Sequence, residues 1–329
     1  MRRPVCLVTG ATGTLGPAVV QALRPTYAIR TFTRRPPPAG LFVEPIEAYT
    51  GDIADRAAVG RAAEGARAIV HLAALLHIVN PRSELHQEYE RVNVEGTAAV
   101  LEAALSAGVS RMVLASTIAV YGGQPGALID ETTPPRPDTL YGQTKREAER
   151  VALGARNSDG EPLSTVLRAA AVYGSRVKGN YRALLDGMAR RRFVPVGSGE
   201  NRRTLLFEDD LAAAIALAVG HPAAAGRIYN VSDGTFHTMR DIIEAIAGAL
   251  GRRSPTWSLP VGPVRLAVAA AGLVDRRLPR MLDKYLEDIA VDASRIHAEL
   301  GFRPQFDLSR GWAMTVDRMR QTAPMDRRW

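Results

Sequence analysis

The chain has 329 residues, 46% hydrophobic and 23% charged, with 42 Lys and Arg against 34 Asp and Glu for a net charge of +8. That length allows one large α/β domain with a smaller lobe and a substantial core, and the composition is that of an ordinary globular protein. The single cysteine, Cys6, excludes an intrachain disulfide framework and any multi-cysteine zinc site, so a reducing, cytoplasmic setting is expected and no metal is.

Lysine occurs only at Lys145, Lys178 and Lys284, arginine is scattered, and no basic run is interleaved with aromatics. Small anionic ligands are expected, not nucleic acid. Arg2 and Arg3 precede a short apolar run that ends in a glycine turn, unlike a signal peptide. The longest apolar stretch, Val261 to Val274, holds Pro263 and Arg265 and is too short to span a bilayer. No membrane partner is expected.

Strand-like runs fall at Val5–Thr9, Tyr27–Thr33, Glu44–Thr50, Ala68–Leu72 and Met112–Ser116, with helical patterns between them at Leu15–Leu23, Ala54–Glu64 and Glu84–Ala107. This alternation predicts right-handed βαβ crossovers and a Rossmann-type doubly wound parallel sheet. A helix from Tyr141 to about Gly154 and a strand at Ser164–Leu167 follow. Residues 1–174 are expected to form the dinucleotide-binding domain. Residues 175–329 are expected to form a substrate lobe interleaved with the end of the sheet, with helices at Tyr181–Arg191, Asp209–Val219, Met239–Leu250 and Ala293–Leu300. Pro255–Pro279 reads as a loop with a short apolar helix, a candidate substrate cover.

Ligands of such sheets bind beyond the carboxyl ends of the strands. After the first strand come Gly10, Thr12, Gly13, Thr14, Leu15 and Gly16, in the spacing G-x-x-G-x-x-G. The glycines allow a tight strand-to-helix turn with close backbone approach to a pyrophosphate, and the helix N-terminus favours its charge. The second strand ends in Thr33-Arg34-Arg35 with no carboxylate. An acid there would bind the ribose of NAD, whereas Arg34 backed by Arg35 suits a 2′-phosphate, so NADP is preferred and NAD is the alternative. Asp52 and Ile53 stand where the adenine amino group would lie, and Leu72, Ala73 and Ala74 would pass beneath the cofactor.

Tyr141 and Lys145 are four apart, on one helix face. A phenol is a poor base near neutral pH; an adjacent ammonium and a positive nicotinamide ring would favour its phenolate. Ser116 and Thr117 end the fifth strand and offer a hydroxyl to the same reacting oxygen. Cradle and Tyr–Lys pair together indicate a redox enzyme.

Further segments in order are Asn93-Val94-Glu95-Gly96-Thr97, Val120-Tyr121-Gly122, Val172-Tyr173-Gly174, Arg203 through Asp210, Tyr229-Asn230-Val231 and Gly301-Phe302-Arg303-Pro304. With the cradle and the Tyr141–Lys145 pair, the chain resembles an extended short-chain dehydrogenase/reductase of the NAD-dependent epimerase/dehydratase type over nearly its full length. The resemblance implies a triad of Thr117, Tyr141 and Lys145, with Thr117 chosen because it lies four before Tyr121. It implies that Asn93 supports the active-site helix and lines the cofactor site. Within Val177-Lys178-Gly179-Asn180, it implies that Asn180 meets a nucleotide diphosphate, which Arg203 grips.

A 4,6-dehydratase of this family needs an Asp-Glu pair after the threonine; Ile118-Ala119 stand there instead. With Arg34 favouring an exchangeable NADPH and Gly174 through Arg203 resembling reductases and epimerases of 4-keto sugar nucleotides, NADP(H)-dependent 4-keto reduction of a nucleotide-diphosphate sugar is expected, with NAD-dependent 4-epimerisation as the alternative. A hydroxysteroid-type dehydrogenase and a non-catalytic NADP-binding protein are further alternatives. The relatives' dimer bundle implies a homodimer through Glu84–Ala107 and Tyr141–Gly154, in which Ala98, Leu101, Ala104 and Leu105 could serve the seam or equally a monomer core.

Overall fold

The computed structural model describes residues 3–76, 84–124, 126–176, 178–272 and 277–322. Val177 and residues 273–276, which fall in two segments expected to shape the substrate site, lie outside the described residues.

The strands are β1 (Val5–Thr9), β2 (Ala28–Thr33), β3 (Glu47–Thr50), β4 (Ala66–His71), β5 (Arg111–Thr117), β6 (Leu128–Ile129), β7 (Ser164–Ala169), β8 (Ala171–Tyr173), β9 (Arg202–Phe207), β10 (Ile228–Val231), β11 (Phe236–Thr238) and β12 (Ala290–Val291). The helices are α1 (Gly16–Leu23), α2 (Arg56–Ala63), α3 (Glu84–Glu90), α4 (Gly96–Ser106), α5 (Leu140–Gly154), α6 (Asn180–Ala189), α7 (Glu208–Gly220), α8 (Met239–Ala249), α9 (Val261–Ala271), α10 (Arg277–Leu286), α11 (Ser294–Leu300) and α12 (Leu308–Thr322).

Seven strands form one parallel sheet in the order β3-β2-β1-β4-β5-β7-β10. Its central strands are apolar on both faces because helices cover both. One face packs Val19, Val20 and Leu23 of α1 and Leu211, Ile215 and Val219 of α7. The other packs Val59 and Ala62 of α2, Val100 and Ala104 of α4, and Ala148 and Ala152 of α5. The expected Rossmann-type sheet is therefore present, and α7 and β10 return from the second half of the chain to complete it. A third core gathers around Trp312, where α6, α8 and α12 pack against β8 and β9. Strand order reverses between β1 and β4, so the crevice opens at their carboxyl ends, beside that of β5.

One expectation changes. The helix expected over Glu84–Ala107 is interrupted by a π turn at Arg91–Glu95. Thr97 Oγ1 donates to the Asn93 carbonyl at 2.7 Å, and the wider turn turns the Asn93 side chain toward the site. Of the residues that could serve a dimer seam or a monomer core, Leu101 and Ala104 lie in this chain's own core and Leu105 is exposed.

Candidate active site

β1 delivers Thr9 and Gly10 to the crevice. Gly10 has φ +70°, and a Cβ on it would stand 2.6 Å from the Ala73 amide nitrogen, so the loop Leu72, Ala73, Ala74 closes against a bare glycine. Gly16 is buried against the Ala11 carbonyl, where no side chain fits, and Thr12, Gly13, Thr14 and Leu15 form the more open rim of the turn. α1 starts after Leu15 with no side-chain cap and no acid in its first turn. Its amide-end partial charge is thus left for an anion, and the residues present fit a dinucleotide pyrophosphate.

At the far end of the cradle, the Arg34 and Arg35 side chains are exposed. Asp52 accepts from the Ala54 amide at 2.9 Å and from Arg91 at 2.6 Å, both through Oδ1. Arg91 also donates to Glu88 at 2.9 and 2.8 Å. The Arg91 hydrogen bond, the Ala54 amide and the charges of Arg91 and Arg34 hold Asp52 below the usual carboxylate range. Asp52 and Ile53 therefore stand at this corner, but the sequence did not reveal that Arg91 takes up the carboxylate.

Beneath the cradle, His71 Nδ1 lies 2.7 Å from Thr9 Oγ1 and Nε2 3.1 Å from Thr97 Oγ1. Thr97 gives its own proton to the Asn93 carbonyl, so it must accept from Nε2–H, and Nδ1 then accepts from Thr9. Burial, aided by the positive Lys145, pushes this imidazole down to about 3 and keeps it neutral.

Thr117 ends β5 and caps the short turn Ile118–Tyr121, accepting from the Ala119 amide at 3.2 Å. Thr139 caps α5, accepting from the Gly142 amide at 3.1 Å. A Cβ on Gly142 would stand 2.6 Å from the Ala119 carbonyl, so the first turn of α5 lies against the turn that follows Thr117. That contact brings Tyr141 to the end of β5, with Lys145 one helical turn on and 2% exposed. Burial pushes the Tyr141 phenol above its ordinary value, with Tyr89 adding to the rise. Burial also pulls Lys145 down to about 8, against the opposing Glu149 carboxylate. The protein's own charges do not reverse the rise at Tyr141.

Asn93 holds this helix. Its Oδ1 accepts from the Leu75 amide at 2.7 Å, and its Nδ2 donates to Thr144 Oγ1 at 3.0 Å. Thr144 in turn donates to the Tyr141 carbonyl at 3.1 Å.

Ser116 faces the opposite way from Thr117 along the strand. It donates to Glu149 at 2.5 Å. Glu149 pairs with Arg168 at 2.7 Å, the two side chains 0% and 1% exposed. Arg168 donates to Tyr121 Oη at 2.9 Å, and Tyr121 donates to Asn230 Oδ1 at 2.8 Å. The Asn230 amide reaches Glu131 at 2.8 Å and its Nδ2 the Asp292 carbonyl at 3.0 Å. Sequence reasoning missed this network. Its two local signals are a carboxylate four residues after Lys145 and an arginine set in an apolar strand.

Asn180 opens α6 and is exposed, while Arg203, in β9, is 6% exposed. Arg203 donates to the carbonyls of Lys284 and Tyr285 at the end of α10 and lies 3.7 Å from Glu287; among the described residues its Nε has no partner. Tyr181, next to Asn180, is pushed up to about 12 by burial, with the Arg203 charge acting against the rise, so the two elements share one corner. Among the described residues no hydrogen bond joins Asn180 or Arg203 to Thr117 or Lys145. No group of three or more His, Cys, Asp or Glu able to hold a metal occurs among them either.

The sequence profile of the NAD dependent epimerase/dehydratase family matches residues 6–232, from β1 through β10. The chain belongs to that family. A UDP-glucose 4-epimerase from Vibrio cholerae is 29% identical to this family member, with 94% of each chain covered. A dTDP-glucose 4,6-dehydratase from Streptomyces griseus is 34% identical across 81% of this chain and 75% of its own. The solved structure of MoeE5 in complex with UDP-glucuronic acid and NAD aligns with a TM-score of 0.76 at 26% identity, covering 96% and 99% of the two chains. This member of the epimerase/dehydratase family is an enzyme of the extended short-chain dehydrogenase/reductase type.

Proposed function

We propose that this enzyme is an NADP(H)-dependent reductase of a 4-keto nucleotide-diphosphate sugar. The sheet edge that carries the cradle also carries Thr117, Tyr141 and Lys145, and Asn180 and Arg203 offer polar and cationic groups to a diphosphate. The observation that carries net reduction is the corner after β2. It holds no carboxylate on the strand, Arg91 bonds both nearby acids, and Arg34 is exposed and lacks a hydrogen-bond partner among the described residues. A 2′-phosphate would meet a guanidinium there, which suits an exchangeable NADPH.

Bound in the cradle, the cofactor supplies hydride and, once oxidised, a positive ring. Thr117 holds the keto oxygen by its hydroxyl. As the carbonyl carbon accepts hydride, Tyr141 hands its phenolic proton to that oxygen, completing the carbinol. The raised phenol value favours a loaded proton at neutral pH, which suits reduction. Lys145 stabilises the tyrosinate left behind, and Asn93 keeps α5 in register through Thr144. Ile118-Ala119 supply no acid or base for loss of a C6 hydroxyl, so dehydration has no carrier here.

The second reading is an NAD-retaining 4-epimerase, favoured by the Vibrio cholerae relative and by the NAD in the MoeE5 complex. Titration of nucleotide-stripped protein with NADPH and NADH separates the two. We expect NADPH to bind at least about tenfold tighter and Arg34→Asp to erase that preference. Stoichiometric, slowly released NAD would overturn reduction in favour of epimerisation. Under either reading the reaction belongs in the cytoplasm, and pairing of two copies would run through α4 and α5.

A further inference from the structure

α9 has no buried residue. Its sequence, Val261 to Ala271, holds a single charge, Arg265, and Leu266 is 75% exposed. Just before it Trp257 is 61% exposed, and on α10 Met281 is 50% exposed. A helix of 11 residues gains little from propensity alone and is normally held by burying a face. Here the hydrocarbon is turned outward.

Charge is concentrated in the same stretch of sequence. Between Gly251 and Leu286 the sequence has six arginines and one lysine against two aspartates, a net +5 out of +8 for the whole chain. Arg253, Arg265, Arg280 and Lys284 are exposed on the same segment; Arg265 ties the two helices by a 3.6 Å pair with Asp283, and Lys284 pairs with Glu287 at 2.9 Å.

We propose that α9 and α10 dock on an anionic phospholipid surface, with Leu266, Met281 and Trp257 in the headgroup–acyl boundary and the arginines on the headgroups. Exposed aliphatic residues, a tryptophan and a rim of arginines are what such an interfacial element requires. A second copy of the chain is the poorer occupant, since it would set the exposed Arg253, Arg265 and Arg280 against their own copies. The apolar stretch that is too short to span a bilayer lies on one instead. The hairpin is fixed to the lobe, with the Leu259 amide donating to the Pro195 carbonyl at 2.9 Å and Arg203 holding the end of α10. Docking therefore sets the Arg203 corner close to the lipid headgroups.

Flotation of the full chain with vesicles of phosphatidylglycerol and phosphatidylcholine, against phosphatidylcholine alone, tests this. We expect flotation with the anionic vesicles only, reduced at least about tenfold by the double variant Leu266→Glu/Met281→Glu and weakened by salt. Both substitutions are at exposed positions, so thermal unfolding and NADPH binding should be unchanged. Failure to float with anionic vesicles overturns the proposal. So does flotation unaffected by the double variant, or a wild-type dimer that ignores vesicles and becomes monomeric in it.

Discussion

Beneath Tyr141 the protein buries full charges, whereas along α9 it leaves hydrocarbon in water. Glu149 and Arg168 lie wholly inside, joined at 2.7 Å, and every polar neighbour of the pair is itself bonded. Such a pair gives little net stability over an apolar filling, because desolvation offsets the attraction. What it does provide is position: Ser116 on β5, Glu149 on α5, Arg168 on β7 and Tyr121 in the turn after Thr117 are bound into one geometry. Among the described residues the hairpin has no buried ion pair, and its apolar side chains face outward. Polar groups are buried where reacting atoms must be held still, and apolar groups are exposed where another surface is to be met.

The largest effect should come from Tyr141, the proposed proton donor beside this network. Tyr141→Phe should lower kcat by about 10²–10⁴-fold while NADPH affinity stays within a few-fold, the pattern of a lost proton transfer. Single-turnover kinetics and cofactor titration check both halves, and retained turnover would remove Tyr141 from the mechanism.

Next comes the buried pair itself. Arg168→Leu leaves Glu149 buried without its cation and should cost about 3–5 kcal/mol in urea unfolding. Adding Glu149→Gln to it should recover much of that loss, since the stranded charge is gone. If turnover returns with stability in the double variant, the network acts on folding alone. If stability returns and kcat stays low, it positions Thr117 and Tyr141.

The legible parts of this molecule are those written in short stretches of chain. The turn from Gly10 to Gly16 and the four-residue step from Tyr141 to Lys145 are local patterns, as is the alternation of strand and helix up to β5. The network is not, because Ser116, Glu149, Arg168, Tyr121 and Asn230 come from five elements and meet only once the sheet has formed. Asn93 could be named, but not the π turn that aims it, since Glu84–Ala107 keeps a helical pattern throughout. Arg91 has Glu88 three residues before it, but its second partner, Asp52, is brought to it only by the fold. α12 could have been read, since Leu308, Trp312, Val316 and Met319 recur at helical spacing and are buried.

His71 belongs to the buried half of the comparison and makes a pH prediction. Its folded value is about 3 against an ordinary 6.5. Between these limits the unfolded chain takes up a proton that the folded protein refuses. Stability is therefore fully present above about pH 6.5 and lost as the pH falls toward 3, by at most about 1.4 kcal/mol per unit from this group. His71→Gln removes the titrating ring, so unfolding free energies at pH 7.5, 6 and 5 should slope less steeply in the variant. Equal slopes would mean that the imidazole is protonated in the folded protein.

The smallest effect should fall on the exposed half. Leu266→Glu puts a carboxylate where a leucine already faces water, so no cavity forms and no partner is stranded. The unfolding free energy in buffer should change by less than about 0.5 kcal/mol. A carboxylate at a buried apolar position such as Leu101 would be expected to prevent folding, since the charge would enter an apolar core with no partner. Should Leu266→Glu instead destabilise the isolated protein by 2 kcal/mol or so, α9 packs against its own chain in solution. The contrast with the buried network would then be one of degree.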